Sequence, residues 1–340
     1  MLQKIVAGII GAGRIGKIHA ENIMNHIENA YIKTIADIKI DHLKKWAENL
    51  RISHLTTDYR EILEDPEIQV VIICSSTDTH VKFITEAAKA GKHIFCEKPI
   101  DFEVSRIKDA LNAVKDAGVK FMIGFNRRFD HNFQRMKKAV QKGDLGEPHI
   151  IKISSRDPNP PPIEYLKVSG GLFFDMAIHD WDMCRYLSNS EIAEVYAQGA
   201  AFNDPEISNI NDIDTAVTLL KSKSGIMFII DNSRKAVYGY DQRVEIFGSK
   251  GMILNYNDTI NNVEIYSENS IARDKIPYFF LERYRDSYIV EMRELFECVQ
   301  NNSDPSVSGV DGLQAVLIAK AASLSMRENR PVKLSEIEDS

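Results

Sequence analysis

Short apolar runs alternate with helix-length segments in the first third of the chain. Ile5–Ile10 is apolar and followed by glycine, which predicts a buried strand. Similar runs predict further strands at 31–36, 68–74, 93–96 and 120–125. The segments between them predict helices over 14–26, 41–50, 79–90 and 103–117. Ile/Val-rich strands that alternate with helices are typical of a parallel sheet covered on both faces, so residues 1–125 are predicted to form a doubly wound α/β domain.

After residue 126 the strand-like runs follow one another without helices between most of them. They predict strands at 149–156, 194–202, 214–221, 225–232, 243–247 and 252–255. One helix is predicted over 171–187 and two more close the chain, over 281–300 and 309–326. Residues 126–340 are therefore predicted to form an α+β domain with a large, mostly antiparallel open sheet.

Length and composition agree with this division. The 340 residues exceed the roughly 250 to 300 that one hydrophobic core organises. The net charge of −7, without a basic block, argues against nucleic-acid binding. No apolar run reaches the roughly 20 residues of a membrane helix, and the first strand is too short for a signal peptide, so we expect a cytoplasmic protein. The four cysteines are far apart and are expected to be reduced core residues.

A glycine-rich motif follows the first predicted strand. Gly11-Ala12-Gly13-Arg14-Ile15-Gly16 fits G-x-G-x-x-G and opens a predicted helix. In that context the first glycine makes a tight turn, the second lets backbone amides approach a pyrophosphate, and the third lets the helix lie close to the sheet. A helix amino end also favours negative charge. The motif, including Arg14 and Ile15, predicts a dinucleotide site, although a glycine-rich turn without a ligand has the same pattern.

Asp37 ends the second predicted strand, about 20 residues beyond Gly16. A carboxylate there can accept hydrogen bonds from both hydroxyls of an adenosine ribose, and it would repel a 2′-phosphate. The sequence therefore predicts NAD as the cofactor. Lys39 is a nearby cation, which leaves use of both NAD and NADP open, and a solvated carboxylate at a strand end is the alternative interpretation of Asp37.

Two further polar segments follow later strands of the predicted parallel sheet. Ser75, Ser76, Thr77 and His80 follow the predicted strand 68–74, and Glu97-Lys98-Pro99 follows the predicted strand 93–96. Ligands of open α/β sheets bind at the carboxyl ends of the strands. The residue before a proline is held extended, so Lys98 can direct its ammonium group into that crevice. A solvated lysine at a strand end is the alternative.

Asp175 and His179 lie four residues apart within the predicted helix 171–187, which places them on one helix face. A carboxylate beside an imidazole stabilises the imidazolium, as a base that removes a hydroxyl proton requires. A surface ion pair is one alternative. A zinc site is another, but the sequence has no H-E-x-x-H pattern, so no metal is predicted.

These three motifs together resemble the glucose–fructose oxidoreductase/inositol dehydrogenase (Gfo/Idh/MocA) family, and the resemblance spans almost the whole chain. It implies a Rossmann domain followed by an α/β domain with an open sheet, and catalytic roles for Lys98, Asp175 and His179. It also implies that the Lys98–Pro99 peptide bond is cis and that the turn with His80 lines the cofactor cleft. Glu97 and Lys98 are included among the expected cofactor contacts.

Finer motifs look like the bacterial inositol 2-dehydrogenase branch of that family. They include Gly124 to Phe129, Ser155 to Pro158 and Tyr238 to Arg243. By this resemblance Arg127, Asp157, Asn159 and Tyr238 are candidate substrate contacts, together with Lys98, Asp175 and His179. Amide, carboxylate and phenol groups suit the vicinal hydroxyls of a polyol. Packing at a sheet edge for Tyr238, and a solvated or inter-subunit role for Arg127, remain open.

Together, the motifs and the family resemblance imply an NAD-dependent dehydrogenase that oxidises a cyclic polyol, with myo-inositol as the expected substrate and scyllo-inositol or another sugar as the alternative. A non-catalytic dinucleotide sensor on the same fold is a competing interpretation. The apolar residues of the second domain's strands predict a homo-oligomer, because one sheet face would otherwise be uncovered. The family resemblance implies a dimer or a homotetramer built on this sheet.

Overall fold

The computed structural model describes residues 4–338, and they form two compact units. The first contains the described residues up to Phe129 together with Asp286–Gln314; the second contains Asp130–Arg285 and the described residues from Ala315 onward. The segment 286–314 lies with the first unit, whereas the sequence placed it in the second domain. A Cβ on Gly309 would lie 2.4 Å from side-chain atoms of Leu111 and Phe121. Glycine is what permits this close packing on the first unit.

The first unit contains a six-stranded parallel sheet with the strand order β3-β2-β1-β4-β5-β6. Its strands are β1 Ile5–Ile10, β2 Ala30–Ala36, β3 His54–Thr56, β4 Val70–Ile73, β5 His93–Glu97 and β6 Phe121–Gly124. The helices between them are α1 Arg14–His26, α2 Lys44–Asn49, α3 Arg60–Glu64, α4 Thr77–Lys89 and α5 Val104–Ala117. Short 3₁₀ helices cover Asp41–Leu43 and Asn126–Phe129. The predicted doubly wound fold is confirmed.

The second unit contains a seven-stranded sheet with the order β12-β11-β7-β10-β9-β8-β15. Its long strands are β7 Pro148–Arg156, β8 Ile192–Ala200, β9 Thr215–Ser222, β10 Met227–Ser233, β11 Asp241–Gly248 and β12 Gly251–Asn255. A separate hairpin is formed by β13 Glu264–Tyr266 and β14 Ile271–Arg273, and β15 is Val332–Lys333. All neighbours in the large sheet are antiparallel except β7 and β10, which confirms the predicted mostly antiparallel sheet.

The remaining helices are α6 His131–Lys142, α7 Ile163–Leu166, α8 Leu172–Asp175, α9 Ile178–Ser188, α10 Pro205–Asn209, α11 Phe280–Arg283, α12 Arg285–Asn301, α13 Gly309–Glu328 and α14 Leu334–Glu338. Helix α6 was not predicted. Asp130 caps it by accepting hydrogen bonds from the amides of Asn132 and Phe133, and Gly143 ends it in the left-handed region at φ 73°. Both are ordinary signals of helix ends, and Phe133, Met136 and Ala139 form its buried face.

The predicted helix 171–187 is two helices, so Asp175 and His179 do not lie on one continuous helix. The amide of Ala177 donates to the carbonyl of Leu172, five residues back, at 3.0 Å. The carbonyl of Phe173, which a regular helix would pair with Ala177, accepts the indole N–H of Trp181 at 3.0 Å. The buried Trp181 therefore stabilises a break after α8 that spacing alone does not reveal.

One face of the second unit's sheet is buried and the other carries exposed apolar side chains. Along β10, Phe228 and Ile230 are buried, whereas Met227 and Ile229 are 51% and 38% exposed. Val217, Leu219, Phe247 and Met252 extend the exposed set on neighbouring strands. We call these six residues the open apolar face. The chain therefore covers one face of this sheet, as the sequence predicted, and side chains that alternate along each strand leave the other face exposed.

None of the helices in the described part of the chain combines the length and apolarity needed to cross a membrane. The four cysteines are free, as expected; Cys96, Cys184 and Cys298 are buried and Cys74 is half-buried.

Candidate functional site

A cavity of about 590 Å³ lies in the first unit at the carboxyl ends of its strands. The glycine-rich loop after β1, the end of β2 and the turn after β4 contribute to its wall. Parallel strands bring these three loops to one edge of the sheet, which is where ligands of such folds bind. Lining residues include Gly11, Ala12, Gly13, Asp37, Ser75, Ser76 and Thr79.

The glycine-rich loop has the shape that a pyrophosphate requires. Gly11 has φ +94°, and a Cβ there would lie 2.7 Å from the backbone of Cys74 and Ser75. A Cβ on Gly16 would lie 2.1 Å from the carbonyl oxygen of Gly11, so only glycine lets α1 begin this close to the loop. At Gly13 nothing lies within 4 Å of an added Cβ. The backbone at Gly13 therefore faces open space into which a phosphate fits.

Asp37 ties the glycine-rich loop to the end of β2. Its Oδ2 accepts a hydrogen bond from the amide of Ala12 at 2.8 Å, and its Oδ1 accepts one from the amide of Lys39 at 2.8 Å. A carboxylate has about four lone-pair sites, so both oxygens can still accept from ribose hydroxyls. Asp37 is thus fixed by the backbone and lines the cavity. These features fit an NAD molecule.

Not every expected cofactor contact reaches the cavity. Seven of the expected contacts are not among the described residues that line it: Arg14, Ile15, Gly16, Thr77, His80, Glu97 and Lys98. Arg14 is exposed at the start of α1, and His80 is 1% exposed. The His80 ring instead lies between two backbone carbonyls, with Nδ1 2.8 Å from the oxygen of Pro99 and Nε2 3.0 Å from that of Ser75. Burial lowers the pKa of His80 below its ordinary value.

Lys98 follows β5 at the same edge of the sheet, and it is half-buried. Its peptide bond to Pro99 is cis, as the family resemblance implied. The preceding residue, Glu97, is bound by the buried His19, whose Nε2 lies 2.7 Å from the Glu97 Oε1. Arg127 is buried in the 3₁₀ helix after β6.

In the second unit, the carboxylate of Asp175 is held on both oxygens. The hydroxyl of Tyr165 on α7 donates to Oδ1 at 2.8 Å, and the Nη1 of Arg234 donates to Oδ2 at 3.1 Å. Arg234 directly follows β10 and is fully buried, whereas Tyr165 is 47% exposed. The guanidinium places a permanent positive charge beside Asp175. Asp175 therefore lies where a carboxylate is stabilised and oriented.

Sequence reasoning did not find Tyr165 or Arg234. Neither residue belongs to a motif with a fixed spacing, and each contacts Asp175 only because the chain folds back from α7 and from the end of β10. The one available signal is a lone arginine at the end of an apolar strand, which on its own is most often solvated.

The other expected site residues of the second unit come from α9 and from the segment that follows β7. His179 is half-buried in the first turn of α9. The backbone of Asp157 pairs with that after β10: its amide donates to Ser233 at 2.8 Å and its carbonyl accepts from Ala236 at 2.7 Å. Asn159 is exposed, and its amide donates to the hydroxyl of Tyr278.

Tyr238 belongs to a different polar group. Its hydroxyl donates to the Oδ2 of Asp241 at 2.6 Å and accepts from Arg156 at 3.3 Å. Burial and the Asp241 carboxylate raise the pKa of Tyr238. Arg156 also binds Asp231, at 2.6 Å. Arg156 on β7 and Asp231 on β10 alternate with the buried residues of their strands, so both face the same side as the open apolar face. The hydroxyl of Tyr238 therefore lies on that side rather than with Asp175 and Arg234.

One cluster of metal-ligand residue types, Asp130, His131 and Asp258, is paired with a protein cation. The guanidinium of Arg283 lies 2.5 Å from Asp130 and 3.0 Å from Asp258. A cluster whose carboxylates pair with a buried arginine is a structural ion-pair network.

Comparison with known proteins adds to this geometry. Residues 5–125 match the family model for the Gfo/Idh/MocA oxidoreductase family, NAD-binding Rossmann fold, and residues 133–254 match the C-terminal domain of the same family. An uncharacterized oxidoreductase of Bacillus subtilis is 49% identical over 99% of both chains. A myo-inositol 2-dehydrogenase of Thermotoga maritima is 47% identical over 97% of this chain and 98% of its own.

A solved structure extends the likeness to the three-dimensional fold. The scyllo-inositol dehydrogenase of Lactobacillus casei, crystallised with NAD(H) and scyllo-inositol, superposes with a TM-score of 0.92. It is 30% identical, and the match covers 98% of this chain and 100% of that chain. The matched models, the relatives and the cavity geometry agree: the chain belongs to the Gfo/Idh/MocA family of oxidoreductases, and its first unit carries an NAD-binding Rossmann domain.

Proposed function

We propose that the protein oxidises myo-inositol to 2-keto-myo-inositol with NAD as the acceptor. The observation that carries this proposal is the position of Lys98 at the carboxyl end of β5, on the sheet edge where the cofactor cavity lies. The name of the Thermotoga maritima relative supports the substrate. The Lactobacillus casei neighbour supports scyllo-inositol as the alternative, because the two isomers differ only in the orientation of one hydroxyl.

In the proposed mechanism, His179 accepts the proton of the reacting hydroxyl and Asp175 supports the imidazolium that forms. Arg234 and Tyr165 keep the Asp175 carboxylate oriented for that role. Lys98 stabilises the negative charge that develops on the substrate oxygen. When bound, NAD accepts the hydride. Arg127, Asp157 and Asn159 are proposed to contribute to binding of the other hydroxyls. Tyr238 is not retained as a substrate contact, because its hydroxyl binds Arg156 and Asp241 on the side of the open apolar face.

A panel of inositol isomers and sugars, followed by absorbance at 340 nm with NAD and then with NADP, tests this function. The highest kcat/KM should be found with myo-inositol and NAD. A higher value with scyllo-inositol would assign the alternative substrate, and a higher value with a sugar would refute the inositol assignment. Dinucleotide binding without turnover on any member of the panel would favour a sensor over an enzyme.

We also propose that the protein is a homo-oligomer, a dimer or tetramer, assembled through the open apolar face. Val217, Leu219, Met227 and Ile229 lie on two adjacent strands, with Ile229 opposite Leu219 in the register. Single scattered apolar residues are common on the surface of a monomer, whereas a contiguous apolar patch marks an interaction site. In a two-fold symmetric oligomer the same patch of a second copy can cover it.

Light scattering at micromolar concentration should give a multiple of the 38.5 kDa chain mass. Replacing both Leu219 and Ile229 with glutamate should reduce that mass, since it would bury charges in the interface. Val310→Glu is a matched control, because Val310 is 54% exposed but lies in the first unit. A wild-type protein with the mass of a single chain would refute the proposal.

A further inference from the structure

We propose that two buried histidines, His19 and His80, position Lys98 by fixing the residues on either side of it. His19 lies 2.7 Å from the side chain of Glu97, and His80 lies 2.8 Å from the carbonyl oxygen of Pro99. Both contacts are within the first unit. The inference rests on the proposed catalytic role of Lys98.

Aromatic packing surrounds the ring of His19. The side chain is fully buried, and its ring lies edge-on against Phe95 and Tyr288, with centroids 4.9 Å and 5.7 Å away. In the tautomer with a proton on Nε2, His19 donates to the Oε1 of Glu97. Glu97 is thereby fixed through its side chain, one residue before Lys98.

His80 fixes the other side through the backbone. Carbonyl oxygens only accept, so each ring nitrogen forms a hydrogen bond only when it carries a proton. A neutral ring, which burial favours, has one such proton, and the shorter contact is that of Nδ1 with Pro99. The Nε2 atom faces the carbonyl oxygen of Ser75, which belongs to the turn that lines the cofactor cavity. His80 thus lies between that turn and the residue after Lys98.

The two histidines come from the two helices that begin at the cavity. Helix α1 starts at the glycine-rich loop and carries His19 one turn after Gly16; helix α4 starts after Ser75 and Ser76 and carries His80 in its first turn. The same helices therefore shape the dinucleotide site and fix the neighbours of Lys98. A small displacement of a reacting group lowers the reaction rate strongly. Loss of these contacts, which would displace Lys98, should therefore lower turnover more than NAD affinity.

Substitution of each histidine by asparagine and by glutamine distinguishes the effect of the lost hydrogen bond from the effect of a smaller side chain. The amide nitrogen of glutamine corresponds to the Nε2 of histidine, and that of asparagine corresponds to Nδ1. His19→Gln and His80→Asn should therefore keep most of the turnover with myo-inositol. His19→Asn and His80→Gln, which misplace the donor, should lower kcat on the order of 10-fold to 100-fold while the Kd of NAD changes by less than about twofold. His93→Asn, at the opposite end of β5, is the control and should leave kcat unchanged.

A double-mutant cycle shows whether the histidines act through Lys98. In a Lys98→Met background, the misplacing substitutions should lower the residual turnover by less than about twofold, because the group they position is gone. The same loss in both backgrounds, or equal activity of the matching and misplacing amides, would overturn the positioning role. Near-normal turnover of Lys98→Met alone would instead refute the proposed role of Lys98, and with it this inference.

Discussion

Arg234 and Asp175 form an ion pair in the second unit, with Nη1 and Oδ2 3.1 Å apart. The Arg234 side chain is fully buried, and that of Asp175 is 12% exposed. Among the described residues, the Nε and Nη2 atoms of Arg234 have no hydrogen-bond partner, so Asp175 is the group that compensates the buried guanidinium. The pair links the end of β10 to the end of α8, and through it the sheet fixes one of the proposed catalytic residues.

Replacing Arg234 with methionine should therefore affect both stability and turnover. Breaking a buried pair on one side destabilises a protein by about 3 kcal/mol, because the partner charge stays uncompensated. Urea unfolding measures this change, and kcat should fall because Asp175 loses one of its two anchors. Tyr165→Phe removes the other, more exposed donor and should cost about 1 kcal/mol or less. An Arg234→Met protein with the stability and kcat of the wild type would contradict this account of Asp175.

His179→Ala should lower kcat by a factor on the order of 10² to 10⁴, since the loss of a general base affects the transition state. The affinity for NAD, measured by fluorescence quenching, should be nearly unchanged. His26→Ala, an exposed histidine at the end of α1, serves as the control and should retain full activity. Parallel losses of NAD binding and turnover would indicate that His179 has a structural role.

Asp37→Ala should weaken NAD binding about tenfold and reduce the preference for NAD over NADP, because it removes the ribose hydrogen bonds and the repulsion of a 2′-phosphate. The ratio of kcat/KM for the two cofactors measures this preference. Asp37 also binds the amide of Ala12. Asp37→Asn is the matched control. It removes the negative charge but keeps a side-chain oxygen that can accept the hydrogen bond from the amide of Ala12. An unchanged cofactor ratio in both variants would refute the assigned role.

Much of the first unit could be predicted because its strands are continuous apolar runs and its glycine motif has a defined structural context. Strand β3 escaped prediction because it is only three residues long and His54 is exposed. The second unit was predicted at the level of its strands. Its helix break after Asp175 depends on the Trp181 indole taking the carbonyl of Phe173, a contact that no local spacing encodes.

Site residues could be predicted where their role depends on neighbouring residues in the sequence. They could not be predicted where the role depends on contacts with distant segments of the chain. Lys98 next to Pro99 and the Gly11 to Gly16 loop could be located from the sequence. His80, expected to line the cleft, is buried because its ring faces the carbonyls of Ser75 and Pro99. Tyr238 and Asp175 belong to different polar groups because their partners do: Arg156 lies on the exposed face of β7, whereas Arg234 is fully buried.

Stability should depend on pH through Glu291, a fully buried residue of α12. Burial, and then the nearby Glu97 and Glu294, raise its pKa well above the ordinary value of 4.5. The folded protein thus keeps a proton that the unfolded chain releases, so this contribution is fully present below the ordinary pKa and is lost as the pH rises towards the folded-state pKa. Each pH unit in that interval lowers the free energy of unfolding by up to about 1.4 kcal/mol.

Glu291→Gln should remove this dependence, because the amide stays neutral at every pH. The free energy of unfolding, measured by urea titration from about pH 5 to about pH 9, should decline less for the variant than for the wild type. Glu297→Gln is the control, since Glu297 lies on the same helix but is exposed. Identical slopes for Glu291→Gln and the wild type would show that Glu291 does not hold the proton.

The central claim is hydride transfer from carbon 2 of myo-inositol to NAD. It is tested most directly with myo-inositol deuterated at that carbon, followed by mass spectrometry of the reduced cofactor. The account predicts that the NADH formed carries the deuterium. Unlabelled NADH would contradict the proposed reaction by showing that the hydride leaves another carbon.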